Sequence, residues 1–192
     1  MSRLLVLVRV RMHSSIGSLG KASILHICYR ENPRSARLNR VLIIEASEVT
    51  QKLVEAMATL VPQLSRSNPA PHEQALQEII DSDATTLLLA QDENGIVGAL
   101  TLVLFPIPTG IRAWIEDVVV DEKARGQGIG RSLNEAAIKR ARDRGAVTID
   151  LTSRPSRQSA NRLYQQIGFT KRETAVYRLD LRDVPQESQD RV

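Results

Sequence analysis

Val118-Val119-Val120-Asp121-Glu122-Lys123-Ala124-Arg125-Gly126-Gln127-Gly128-Ile129-Gly130-Arg131-Ser132 is the stretch on which the reading of this 192-residue chain turns. Three β-branched residues close a strand, a polar turn follows, and alternating glycines lead into a helix. A helix N-terminus gathers unpaired N–H groups and the positive end of the helix dipole, so it attracts anions. Glycine at 126, 128 and 130 lets the backbone approach phosphate oxygens with no Cβ in the way. Arg125 and Arg131 flank the loop with guanidinium groups that can grip phosphate through paired N–H donors. A tight turn alone would account for the glycines, but not for the two arginines at a strand-to-helix junction.

Spacing narrows the ligand. The glycines run G-x-G-x-G, whereas a dinucleotide fingerprint needs G-x-G-x-x-G and an acid about 20 residues further on, at the end of the next strand. Asp150 falls inside its strand and does not serve. No Gly-Lys-Ser/Thr follows, so the P-loop pattern fails as well.

Outward from the loop, the elements alternate without a regular βαβ repeat. Val41 to Ala46 reads as a first strand. Ser47 can cap a helix with Val49, Leu53, Ala56, Met57 and Leu60 on one side, and Pro62 ends it. A second helix starts near Pro71 and buries Leu76, Ile79 and Ile80. Thr85–Gln91 and Ile96–Phe105 form a hairpin around the four-residue loop Asp92-Glu93-Asn94-Gly95. Pro106 and Pro108 forbid continuation of its second strand. Ala113–Val120 is the next strand and Arg131–Arg144 a helix stopped by Gly145. Val147–Thr152 is a strand, Ser159–Gln166 a helix stopped by Gly168, and Val176–Leu181 a last strand. The fold class is mixed α/β in a single layered domain over residues 41–183, followed by a polar tail, 184–192.

Composition bounds the partners. Residues 1–40 carry eight basic side chains against Glu31, a net +7, while residues 41–192 carry 18 basic and 21 acidic side chains, a net −3. The basic character therefore belongs to the N-terminal extension and not to the domain, which argues against nucleic acid as a partner. The apolar run Leu4–Val8 is interrupted by Arg9 and Arg11 before it reaches signal-peptide length. An Arg-rich, acid-poor arm fits a transit peptide or a plain extension, and the extension is the favoured reading. No run of about 18 apolar residues exists, so no membrane span is expected. Cys28 is the one cysteine, which excludes an internal disulfide and suits a cytoplasmic location. His13, His26 and His72 lack ligand spacing, so no metal site is read.

The loop Arg125-Gly126-Gln127-Gly128-Ile129-Gly130 fits the (Gln/Arg)-x-x-Gly-x-(Gly/Ala) motif of the GCN5-related N-acetyltransferases, and the chain resembles that superfamily. A second motif follows at the distance expected of it, Ala160-Asn161-Arg162-Leu163-Tyr164-Gln165-Gln166-Ile167-Gly168-Phe169, an A-x-x-x-Y-x-x-x-G-F match. The resemblance covers about residues 41–181. It implies a mostly antiparallel twisted sheet flanked by helices, with strands splayed at an acyl-CoA site. It further implies acetyl-CoA as co-substrate, an amine as acceptor, and direct transfer with no covalent enzyme intermediate. A monomer or homodimer is expected.

By that resemblance Tyr164 protonates the leaving thiolate, a role that suits a phenol of pKa about 10. Glu116 and Asp117 are the candidate bases. Adjacent strand residues face opposite ways, so at most one meets substrate, and the resemblance favours Glu116. Val118, Val119 and Val120 contact the pantetheine arm through their backbone, and Arg125 through Ser132 hold the phosphates. Members often carry Asn seven residues before the tyrosine; here Arg157 stands there, with Asn161 as partial replacement. His72, Glu73, Phe105, Ile107 and Trp114 are expected near the acceptor. A non-catalytic acyl-CoA-binding module of the same fold is the alternative, since a fold does not fix a function.

Overall fold

The computed structural model describes residues 41–65 and 69–182, which fall into two compact units that divide after Leu151. The N-terminal extension and the tail beyond Arg182 lie outside the described residues.

The first unit runs β1 (Leu42–Glu45), α1 (Gln51–Leu64), α2 (Glu73–Asp81), β2 (Thr85–Asp92), β3 (Gly95–Ile107), β4 (Gly110–Val120), a 3-10 turn (Glu122–Ala124), α3 (Ile129–Asp143) and β5 (Ala146–Leu151). Its five strands lie in chain order, β1-β2-β3-β4-β5. The first three pairings are antiparallel, and β4 and β5, joined through α3, are parallel. This is the mixed, mostly antiparallel sheet that the family resemblance implies.

Period-2 alternation gives the sheet two apolar faces. Leu87, Leu89, Ala99 and Val119 project to one face and pack with Leu53, Met57 and Leu60 of α1 and Leu76 of α2. Leu88, Leu100, Leu102, Ala113 and Ile115 are buried on the other, as are Leu133, Ala136, Ala137 and Ala141 of α3. Burying each such leucine contributes roughly 1.5–3 kcal/mol. Gly98 makes the α3 contact close: a Cβ there would stand 3.3 Å from the Leu133 side chain and 3.0 Å from the Val119 carbonyl oxygen. Arg140 of α3 pairs with Glu45 at the end of β1 at 3.1 Å, both side chains largely shielded.

Several boundaries differ from the sequence reading, each for a local reason. Thr50, not Ser47, caps α1, its side chain accepting from the Leu53 N–H at 3.2 Å. Pro62 lies inside α1 rather than ending it. Proline so near a C-terminus forfeits one backbone bond, and the Ser65 N–H still closes the last turn on the Val61 carbonyl at 2.9 Å. Helix α2 starts after His72, whose Nδ1 accepts from the Ala75 N–H at 3.1 Å.

The β2–β3 loop has two residues, not four, because Asp92 pairs directly with Gly95. Asp92 Oδ1 holds the turn by accepting from the Asn94 N–H at 2.7 Å. Strand β3 also continues through Pro106, which pairs with Ile111. The Leu104 N–H bonds to Ala84 on the β2 side, so the ring of Pro106, two residues on, replaces an N–H that would point past the start of β2. No ladder bond is lost.

In the second unit, α4 (Gln158–Gln166) is followed by Gly168, at a φ of +103° that favours glycine. The predicted strand Val176–Leu181 is not formed. It alternates correctly, but it has no ladder partner among the described residues, and Val176, Tyr177, Leu179 and Leu181 are exposed. A strand exists only when its backbone groups are paired.

Candidate active site

Strand β4 departs from regularity at the position where the sequence reading puts the chemistry. Thr101 pairs with Glu116 and Ala99 with Val119, so Leu100 opposes two residues, Asp117 and Val118. This is a β-bulge, and Asp117 adopts a φ of +51°, the one positive-φ non-glycine residue among those described. Such left-handed backbone costs a non-glycine residue roughly 1–2 kcal/mol, less for Asp than for most. Simple alternation therefore does not carry through Glu116-Asp117. Both side chains are exposed, and Glu116 shares the α1–α2 face with Thr101 and Leu87.

The neighbouring strand stops at the same place. The β4–β5 ladder ends at Ile115 opposite Leu151. Glu116 to Val120 continue with β3 on one side and no strand on the other among the described residues. That outer edge of Val118 to Val120 faces no described strand, and on it the Val120 carbonyl accepts from the Arg125 side chain. Val119 itself is buried in the core, which fixes the segment.

Beyond β4 the chain turns tightly. Arg125 Nε donates to the Val120 carbonyl at 3.2 Å, and its Nη1 lies 3.5 Å from Glu122 Oε1. The Glu122 N–H donates to Gln63 Oε1 at 3.0 Å, anchoring the turn to the end of α1. Gly126 and Gly128 then take φ values of +80° and +82°, and a Cβ on either would meet nothing within 4 Å. The glycines answer a backbone requirement and leave open space above the loop. Gly128 is the α3 N-cap, so no side chain caps the helix, and Ile129 and Gly130 open its first turn.

Arg131 lies 3.5 Å from Glu135, Ser132 Oγ donates to the Gly128 carbonyl at 3.4 Å, and Gln127 is exposed. Asn134 is fully buried and donates from Nδ2 to the Gly130 carbonyl at 2.8 Å, stiffening that turn. Sequence reading missed Asn134 and Gln63. Asn134 could have been found as the polar residue beside Leu133, Ala137 and Ala141 in the buried helix stripe.

On the open end of the α1–α2 face, Trp114 Nε1 donates to Glu116 Oε1 at 2.7 Å. Their spacing of two along β4 puts both side chains on one face.

Tyr164 and Asn161 belong to the second unit. Tyr164 is half-buried against Phe169, ring centroids 5.9 Å apart and edge to face. Burial pushes its phenol above the ordinary tyrosine value, and the positive charge of Arg157 pulls more weakly the other way. Asn161 Nδ2 donates to the Arg154 carbonyl at 3.0 Å, and the Asn161 N–H to the Arg157 carbonyl at 3.0 Å. Its amide therefore holds the entry into α4. Among the described residues no group of three or more His, Cys, Asp or Glu could hold a metal ion, and no helix is long and apolar enough to cross a membrane.

A family model described as the acetyltransferase (GNAT) family matches residues 53–169. The chain belongs to that family. A mycothiol acetyltransferase of Thermomonospora curvata is 34% identical over 89 residues, which are 46% of this chain but only 29% of that relative. A solved structure of a transcriptional regulator from Bacillus halodurans is 32% identical, with a TM-score of 0.60, over 73% of this chain and 99% of that one. An aminoglycoside N-acetyltransferase solved in complex with CoA shares the fold at a TM-score of 0.63 and 16% identity, over 77% of this chain and 99% of that one.

Proposed function

We propose that the chain transfers an acetyl group from acetyl-CoA to an amine. The observation that carries this reading is the run from the bulge at Asp117, where β4 continues with no β5 beside it, through two left-handed glycines to the start of α3, which no side chain caps. The strand and the glycine loop suit, in order, the pantetheine amides and the phosphates of one CoA molecule.

In the proposed reaction the amine nitrogen attacks the thioester carbonyl carbon directly. Negative charge develops on the carbonyl oxygen, and a backbone N–H near Val118 is offered as its donor. The C–S bond then breaks, and Tyr164 gives its proton to the departing thiolate. A phenol whose pKa is raised by burial stays protonated across neutral pH, which suits that role. The attacking nitrogen must be neutral and must lose a proton as the amide forms. Glu116 is the proposed acceptor of that proton, directly or through a water, with Asp117 as the alternative. Arg125, Gly126, Gln127, Gly128, Ile129, Gly130, Arg131 and Ser132 are the proposed phosphate loop.

The acceptor is proposed as a small amine or a peptide amine, because residues 41–192 carry a mild net negative charge that favours cationic substrates. The similarity to a regulator supports a second reading, a module that binds acyl-CoA without turning it over. Release of free CoA thiol across a panel of amines separates the two. Amine-dependent release supports transfer; acetyl-CoA binding with no release from any amine would leave the module.

A further inference from the structure

Glu116 is the one acidic side chain on β4 whose carboxylate is held by an indole. Arg112, Trp114 and Glu116 alternate along one face of β4, beside Val103 and Thr101 of β3 and Thr148 and Asp150 of β5. Helices α1 and α2 cover the β1–β3 end of that face, where Leu87, Leu89 and Ala99 are buried. The β4 end stays open: Glu116 and Thr148 are exposed and Trp114 is half-buried.

Trp114 has two carboxylates within its neighbourhood, because Asp150 is its register partner on β5. Its N–H goes to Glu116, at 2.7 Å, while Asp150 receives the Thr148 hydroxyl at 3.5 Å. An indole has a single N–H donor and no acceptor, so this bond orients one carboxylate oxygen and leaves the other free. Charge-assisted bonds of this length are among the stronger ones in proteins. An exposed glutamate otherwise samples several rotamers, and a base serves only when its oxygen sits within reach of the proton it takes.

We infer that Trp114 is the positioning residue of the acyl transfer, its indole N–H setting the Glu116 carboxylate toward the amine acceptor. This rests on the proposed role of Glu116 as base. Trp114 does not itself touch the reacting atoms; its effect passes through Glu116.

The test is a double-mutant cycle on the full chain, with acetyl-CoA and an amine that wild type acetylates. Trp114→Phe keeps a ring and removes the N–H. It should lower kcat about tenfold to a hundredfold, the worth of one hydrogen bond to a charged group, with the KM for acetyl-CoA unchanged. In a Glu116→Gln background the same substitution should cost nothing further, because its route to the reaction is already cut. Equal losses in both backgrounds, or an unchanged kcat in the single variant, would overturn the inference. Where Trp114→Phe loses its stabilisation by acetyl-CoA, Trp114→Leu, which also lacks a donor, takes its place in the same cycle, with the same outcomes. Wild type that acetylates no amine at all refutes the proposed transfer instead, so the two failures are distinct.

Discussion

Gly126 and Gly128 hold φ values of +80° and +82° with no side chain to oppose them, whereas Asp117, a short way upstream, holds +51° with a full one. At the loop, left-handed backbone comes cheaply and the residue type announces it. In β4 the same region of backbone space is imposed by the sheet. Leu100 pairs with neither Asp117 nor Val118, while buried Ile115 and Val119 fix the strand on both sides. The first feature can be read from a string of letters. The second is a consequence of pairing one strand against another, and strain of this kind gathers where function needs an irregular backbone.

The comparison can be broken by substitution. The largest expected effect lies outside both regions and tests the chemistry they serve. Tyr164→Phe should lower kcat by about 10²–10⁴-fold, with acetyl-CoA binding retained. Burial raises the wild-type phenol, so its alkaline loss of activity should fall above the ordinary tyrosine value of about 10, and the Phe variant should lack that limb. The sign for stability follows from the same shift. The unfolded chain loses this proton first as pH climbs past the ordinary value, so wild type loses stability there and the Phe variant is spared that loss. A pH–rate profile and alkaline melts of the two proteins check both.

Next comes the loop. Gly128→Val forces a β-branched residue to a φ of +82°. It should cost about 1–2 kcal/mol or more of stability and weaken acetyl-CoA by tenfold or more, read by melts and titration. A Cβ there meets nothing within 4 Å, so the left-handed backbone is the main source of the loss. The smallest effect belongs to the bulge. Asp117→Ala should cost about 1 kcal/mol and Asp117→Gly almost nothing, since glycine accepts the φ that alanine resists. A larger stability loss for glycine than for alanine would contradict a strained Asp117.

Much of the fold follows from letters whose meaning is local. The glycine loop, the α3 stripe and the motif around Tyr164 carry their conformation in their own residues. What escaped the sequence depends on partners. Pro106 reads as a strand breaker until β2 is seen to begin short of it, and Pro62 as a helix stop until the last turn of α1 is seen to close without its N–H. Val176–Leu181 has the alternation of a strand, but alternation does not supply a ladder. Glu116 could be picked out as a candidate base, yet the Trp114 bond that orients it needs coordinates.

The central claim is that the loop and the strand edge before it form one acyl-CoA site. Thermal unfolding of the wild-type chain with acetyl-CoA, NAD and ATP in parallel tests it most directly. Acetyl-CoA at 100 times its Kd should add about 2.7 kcal/mol of stability, with NAD and ATP adding none at the same concentration. Stabilisation by NAD or ATP with no response to acetyl-CoA would contradict the account.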